Sequence, residues 1–277
     1  PPLVPPLRES QAPSGVVVSS GAMTSAASYL RVGPAQRGDN TTTAIPATTR
    51  GEIGAVTSRG RMVRVPVLHL PALPGTDGAP SLSGGVPVSE VVALLPGETV
   101  LALASLDADA PTLALGTASG VVKRVAAGEA PNNKDAWDVI ALKDGDAVVG
   151  AVAVSDDDEL VLISSDASLL RFGASAVRPQ GRSAGGMLGI KLGDDQKVVF
   201  FGATTSAADG DTDSTTGDLL DLLSPGGHEY AVVTIAGSQS ALPGTVPGSA
   251  KTTPFAAYPA KNRGGMGVRA HRFLKGE

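Results

Sequence analysis

The chain has 277 residues, a formal net charge of −5, 42% hydrophobic and only 3% aromatic residues, 35 Gly, 21 Pro and no Cys. The lack of Cys excludes disulfides, thiol catalysis and thiolate metal sites, and no apolar run reaches the roughly 18 residues of a membrane span. A sizeable core cut by Gly and Pro at about a fifth of all positions predicts an all-β protein; no secretory leader is read at the start.

In chain order, Pro1-Pro2-Leu3-Val4-Pro5-Pro6 opens residues 1–13, read as a stiff extended linker. Residues 14–277 are read as one β domain built from a repeat. Each unit starts with an apolar strand, a tight turn and a second strand carrying a base. The copies are Val16-Val17-Val18 with Tyr29-Leu30-Arg31-Val32, Ile53 to Thr57 with Met62-Val63-Arg64-Val65, Leu113 to Gly116 with Val121-Val122-Lys123-Arg124-Val125, and Leu160 to Ile163 with Leu169-Leu170-Arg171-Phe172. A fifth is read as Leu219 to Leu223 with Tyr230-Ala231-Val232-Val233 around Pro225-Gly226-Gly227. Gly, Asp and Ser at the tips and β-branched flanks are hairpin chemistry.

A second element follows each hairpin: apolar residue, Gly with an acid, then Val. It occurs at Leu95-Pro96-Gly97-Glu98-Thr99-Val100, at 142–148 and at 192–198, and begins again at Leu274-Lys275-Gly276-Glu277. There the chain stops inside a repeat, so a longer natural chain or completion by another segment is expected. Four strands per unit and about five or six units predict a propeller-like array of small sheets, whose edges are protected by radial repetition. Residues 204–218 are read as an acidic flexible insertion.

The net charge argues against a nucleic-acid partner until it is divided. Asp156, Asp157, Asp158 and Glu159 form one cluster, and Asp209, Asp211, Asp213, Asp218 and Asp221 a second. Without those nine acids, 22 bases face 18 acids, so a basic face is permitted but not required.

Few positions suggest catalysis. Asp209-Gly210-Asp211-Thr212-Asp213 starts like a calcium loop, but Ser214 stands where Gly is required and Leu220 where Glu is required. Ser164-Ser165-Asp166-Ala167 lacks the Gly and Trp of glycosidase Asp-turns and is read as a hairpin tip. His69, His228 and His271 are scattered, and the glycines near Gly185 lack a Walker lysine. Trp137, Tyr29, Tyr230 and Tyr258 are read as packing residues, and no metal or cofactor of the domain's own is expected.

The hairpins with Gly-Val-Val-Lys-Arg at 120–124 and Ser-Leu-Leu-Arg-Phe at 168–172 lead into Val177-Arg178-Pro179-Gln180-Gly181-Arg182-Ser183-Ala184-Gly185-Gly186-Met187-Leu188-Gly189-Ile190. This order resembles the C-terminal domain of the A subunit of bacterial type IIA topoisomerases, DNA gyrase and topoisomerase IV. The resemblance implies a β-pinwheel, a propeller-like ring whose basic rim wraps double-stranded DNA. It implies an accessory, non-catalytic domain in the cytoplasm, partnered by the ATPase B subunit, with ATP and Mg2+ used on other domains. The family's Gln-Arg-Arg-Gly-Gly-Lys-Gly box is reduced to Gln36-Arg37-Gly38-Asp39-Asn40, where Asp39 has the wrong sign for a phosphate. Asn262-Arg263-Gly264-Gly265-Met266-Gly267 is a closer echo. A broken box favours a topoisomerase IV-like or divergent paralogue.

DNA-binding candidates are therefore Gln36, Arg37, Gly38, Lys123, Arg124, Arg171, Arg178, Arg182, Lys191, Lys261, Arg263, Gly264, Gly265 and Arg269. Several distributed bases are needed because bending a site of about 20–30 bp costs about 1–6 kcal/mol, and glycines let backbone N–H groups approach phosphates. Each base also has a structural reading, as a solvated charge or a hairpin pair. The alternative for the whole domain is a β-propeller protein-interaction module whose acidic loops meet basic partners.

Overall fold

The structure, a computed structural model, describes residues 15–19, 27–30, 43–70, 72–73, 86–126, 128–204, 230–235 and 249–272. The linker 1–13, Gln36, Arg37, Gly38, the acidic cluster 209–221, Leu219–Leu223 and the final Leu274–Glu277 lie outside the described residues.

The regular secondary structure of the described residues is almost entirely strand. In chain order they are β1 (Gly15–Ser19), β2 (Ala27–Leu30), β3 (Thr43–Pro46), β4 (Glu52–Thr57), β5 (Arg61–Pro66), β6 (Ala72–Leu73), β7 (Val86–Pro87), β8 (Val100–Ser105), β9 (Thr112–Thr117), β10 (Val121–Val125), β11 (Ala136–Asp138), β12 (Val148–Val154), β13 (Glu159–Ser164), β14 (Ser168–Gly173), β15 (Pro179–Gln180), β16 (Met187–Leu188), β17 (Val198–Thr204), β18 (Ala231–Ile235), β19 (Ala250–Pro254) and β20 (Val268–Arg269). A one-turn helix, Val88–Val91, and isolated 3-10 turns are the exceptions. Five small sheets result, confirming the all-β, propeller-type reading.

The first four predicted hairpins form, and the second, third and fourth turn at the predicted Gly, Asp and Ser residues. The fifth is corrected. Ala231–Ile235 forms a strand, but it pairs antiparallel with Ala250–Pro254, in register Val232↔Thr253. It is thus the first strand of a hairpin with a later segment, while Leu219–Leu223 and Pro225-Gly226-Gly227 lie outside the described residues.

The four strands of a unit are also not consecutive. The hairpin β4–β5 is flanked by β8 on one side and β11 on the other, giving the order β11-β5-β4-β8. Between β8 and β11 in sequence lies the next hairpin, β9–β10. The order β17-β13-β14-β20 repeats the pattern across hairpin β18–β19, and β12-β9-β10-β15 repeats it across β13–β14. Each of these three hairpins thus receives its closing strand from one repeat downstream. Exposed strand edges invite aggregation, and the donated strands cover them.

A buried hydroxyl recurs at the end of the first strand in the hairpins β4–β5, β9–β10 and β13–β14. Thr57, Thr117 and Ser164 are at most 2% exposed. Each accepts the N–H four residues on: Arg61 at 3.3 Å, Val121 at 3.2 Å and Ser168 at 3.1 Å. At Thr57 and Ser164 the ladder to the outer strand slips by a β-bulge. The hydroxyl thus closes the turn where the ladder is irregular.

By compactness the described chain divides into two units. One holds the residues up to Leu115, Lys123–Ala153 and Pro179–Gly186, and the other holds Gly116–Val122, Val154–Arg178 and the residues from Met187 on. The core of the first is aliphatic, with Ile53, Val63, Val65, Val92, Val100 and Leu103 buried. That of the second includes Val161, Leu169, Phe255, Tyr258 and Ala270.

In the first unit Glu98, from the first Gly-acid element, has a fully buried side chain. Its carboxylate accepts the Thr57 hydroxyl at 2.5 Å, the Leu95 N–H at 2.7 Å and the Arg61 guanidinium at 2.9 and 3.0 Å. Burial raises its pKa, but these donors outweigh burial and hold it below the ordinary 4.5. Its stabilising effect is therefore complete above pH 4.5 and is lost as pH falls through the lower folded value. Glu98→Gln is expected to cost about 2 kcal/mol near neutral pH. Urea unfolding of both proteins checks this, since their difference must shrink in acid.

Candidate nucleic-acid interface

In the hairpins β4–β5, β9–β10 and β13–β14 the base on the second strand is an internal pairing group. Arg64 pairs with Glu52, Arg171 with Glu159 at 2.9 Å, and Arg124 donates to the Thr112 hydroxyl at 2.8 and 3.0 Å. The partner is always twelve residues earlier, the diagonal neighbour across the hairpin, because the two strands meet in the same register each time. Arg64 also stacks on Trp137 at 5.4 Å, and Arg171 on Phe255 at 4.5 Å.

Lys123 and Arg124 are corrections to the sequence reading. Lys123 is wholly buried and Arg124 is 3% exposed, so neither offers a charge to a phosphate in solution. The Lys123 ammonium donates to three carbonyl oxygens, of Val139 at 2.7 Å, Ala184 at 2.8 Å and Arg182 at 2.9 Å. Burial pulls its pKa from 10.5 down to about 8, opposed by Glu129. Its three acceptors hold the 139 and 182–184 segments together, with Ala141 N–H donating to Ala184 O and Arg182 N–H to Glu129. Arg182, half-buried, thus contributes its backbone to a structural staple.

The second unit gathers the other bases. The loop 261–267 docks by backbone bonds: Lys261 N–H to Arg171 O at 2.9 Å, Gly264 N–H to Gly189 O at 2.6 Å, and Lys191 N–H to Gly265 O at 2.9 Å. Arg263 Nη1 donates to Leu188 O at 2.5 Å. The loop needs its glycines: Gly264 has φ +83° and Gly267 φ +80°, and a Cβ on Gly267 would stand 2.6 Å from Leu169 O. Gly264 and Gly265 therefore shape the loop, and the Gly264 N–H is engaged internally; phosphate access through that N–H is corrected. Arg171, Lys191, Lys261 and Arg263 are brought together on these linked segments, with Arg269 following on β20 beside Ser168. Lys191, Lys261 and Arg269 are exposed, as is Arg178, while Arg171 and Arg263 are half-buried.

Lys251 and Arg272 are among the exposed bases that the sequence reading did not name. A segment-by-segment charge count would have found them, because residues 249–272 hold Lys251, Lys261, Arg263, Arg269 and Arg272 and no acid. The acidic cluster is partly internal: Asp158 is buried and accepts the Ser155 N–H at 2.6 Å, and Glu159 pairs with Arg171. Ser164-Ser165-Asp166 is the hairpin tip expected. His271 is buried between the Thr234 and Ser249 hydroxyls at 2.8 and 3.0 Å. Among the described residues no group of three or more His, Asp or Glu could hold a metal, and no helix is long and apolar enough to cross a membrane.

These small sheets, with donated closing strands and a loop of clustered bases, define an all-β domain of the propeller type. Residues 158–205 and 248–277 match the family model described as "DNA gyrase C-terminal domain, beta-propeller". The chain is 25% identical over 229 residues to the DNA gyrase A subunit of Staphylococcus epidermidis, covering 81% of this chain and 22% of that protein. It is 28% identical over 217 residues to that of Mycolicibacterium smegmatis, covering 76% and 21%. The chain thus spans about a fifth of the length of these curated relatives. Its fold is similar to the C-terminal domain of DNA topoisomerase IV, with TM-score 0.67, 18% identity and coverage of 96% and 74%. It is also similar to the E. coli ParC C-terminal domain, with TM-score 0.54, 16% identity and coverage of 95% and 94%. The resemblance to the C-terminal domain of type IIA topoisomerase A subunits is supported by all three comparisons.

Proposed function

We propose that this chain is a DNA-binding accessory domain of a type IIA topoisomerase A subunit, holding and curving duplex DNA through its phosphates. The observation that carries the reading is the segment 249–272, which has five bases and no acid, held by backbone bonds against Lys191 and Arg171. Phosphate contacts of this kind position DNA without reading its sequence. In this reading the domain has no catalytic chemistry or cofactor of its own. DNA cleavage, ATP and Mg2+ belong to other parts of the parent enzyme. Its partners are the rest of the A subunit, together with an ATPase B subunit. The parent works in the bacterial cytoplasm on the nucleoid. The reduced box at 36–40 favours a parent of topoisomerase IV-like or divergent type.

A fluorescence titration with a duplex of mixed sequence tests this. Five phosphate contacts imply a drop in affinity of about 500-fold between roughly 50 and 200 mM monovalent salt. No binding of duplex DNA at the lower salt would remove the reading.

A further inference from the structure

Resting on the DNA-binding reading, we propose that Met266 is an apolar wedge that presses into the minor groove and bends the duplex where the 261–269 bases grip it. Met266 is 64% exposed, and Leu188, on the segment hydrogen-bonded to the same loop, is 48% exposed. The other large exposed apolar side chains of this unit, Val199, Phe200, Tyr230 and Val233, line a separate cavity. Met266 and Leu188 instead stand beside Lys191, Lys261 and Arg263 in sequence and through the loop's hydrogen bonds. An apolar side chain left in water among bases gains nothing from its own fold.

The backbone makes Met266 a fixed projection. It lies between Gly264 and Gly267, both in the left-handed region, and the loop is tied on one flank to Gly189 and Lys191 and on the other, through β20, to Leu169. A Cβ built on Gly264 would lie 3.6 Å from Leu188 Cδ2, so Leu188 packs beside the turn that presents Met266. The occupant follows from charge complementarity. Flanking bases select a polyanion, and an unbranched thioether among them suits a minor-groove floor and an opened base step, where Met is among the side chains used as wedges. Flexible pyrimidine–purine steps are the ones that yield.

The full chain, as Met266→Ala and as Met266→Leu, is titrated onto a duplex carrying 2-aminopurine beside a central TA step and a dye pair at its ends. The native chain is expected to raise the 2-aminopurine emission and shorten the end-to-end distance. Met266→Ala is expected to lose most of both while its affinity changes less than about 5-fold and its salt slope stays unchanged, because phosphate contacts set that slope. Met266→Leu should restore them. Equal curvature and emission for native and Met266→Ala complexes would overturn the wedge and leave DNA binding standing. Failure of the native chain to bind duplex at all would remove the parent reading and the wedge with it.

Discussion

Replacing Lys191, Lys261 and Arg269 together by Gln is expected to weaken duplex binding by about 100-fold at roughly 0.1 M salt and to flatten the plot of log affinity against log salt by about 3. The three side chains are exposed, and exposed substitutions of this kind change stability by about 0.5 kcal/mol or less. The loss therefore reads contact with DNA and not unfolding. It should be the same for duplexes of any sequence, since phosphate contacts carry no base information. A control at the internal pair Arg171–Glu159 separates the roles: Glu159→Gln breaks a hairpin ion pair and should leave the salt slope unchanged. Fluorescence anisotropy over a salt series measures both quantities. A triple variant with the native slope would show that DNA, if bound, sits elsewhere.

Lys123→Met is expected to destabilise the fold by about 3 kcal/mol, with any effect on DNA binding following from that loss. Met fills much of the volume, but the carbonyls of Val139, Arg182 and Ala184 lose a charged donor. The pH dependence identifies the cause. Folded Lys123 releases its proton near pH 8, and the unfolded lysine near 10.5. Between these values the unfolded chain holds more protons, so the contribution of this group to stability rises with pH, by up to about 1.4 kcal/mol per unit. The native chain should therefore gain on Lys123→Met from pH 7 to pH 9. Urea unfolding at the two pH values measures the gain, and a constant difference contradicts the titration.

These two lysine results mark where local pattern and folded position part. Lys191 and Lys123 look alike in a one-dimensional reading, since each follows an apolar stretch after a glycine. One is exposed, and the other is covered on both faces of β10, where four of the five residues are buried. Period-2 alternation exposes one face only when nothing covers it. The cover over Lys123 comes from residues 139 and 182–184, far along the chain. The closing strands are equally silent: β11, β15, β16 and β20 have two or three residues each, too few to show a period. Short hairpins announce themselves by turn chemistry, whereas a donated strand is defined by the edge it covers.

By itself the sequence determined the all-β class, four hairpins, the turns of three of them, the family likeness and the loop 261–267 as a place where bases and glycines gather. These depend on neighbours within about ten positions, which local turn propensities and side-chain periods report. Tertiary structure alone decided which bases face water and which are buried, that the hairpins β4–β5, β9–β10 and β13–β14 are closed by a strand from the following repeat, and that Gly264 serves the loop's own docking. Those outcomes depend on hydrogen bonds between residues far apart in the chain, such as Lys261 with Arg171 and Arg263 with Leu188, and the energy that sorts an exposed ammonium from a buried one is set by what is packed against it.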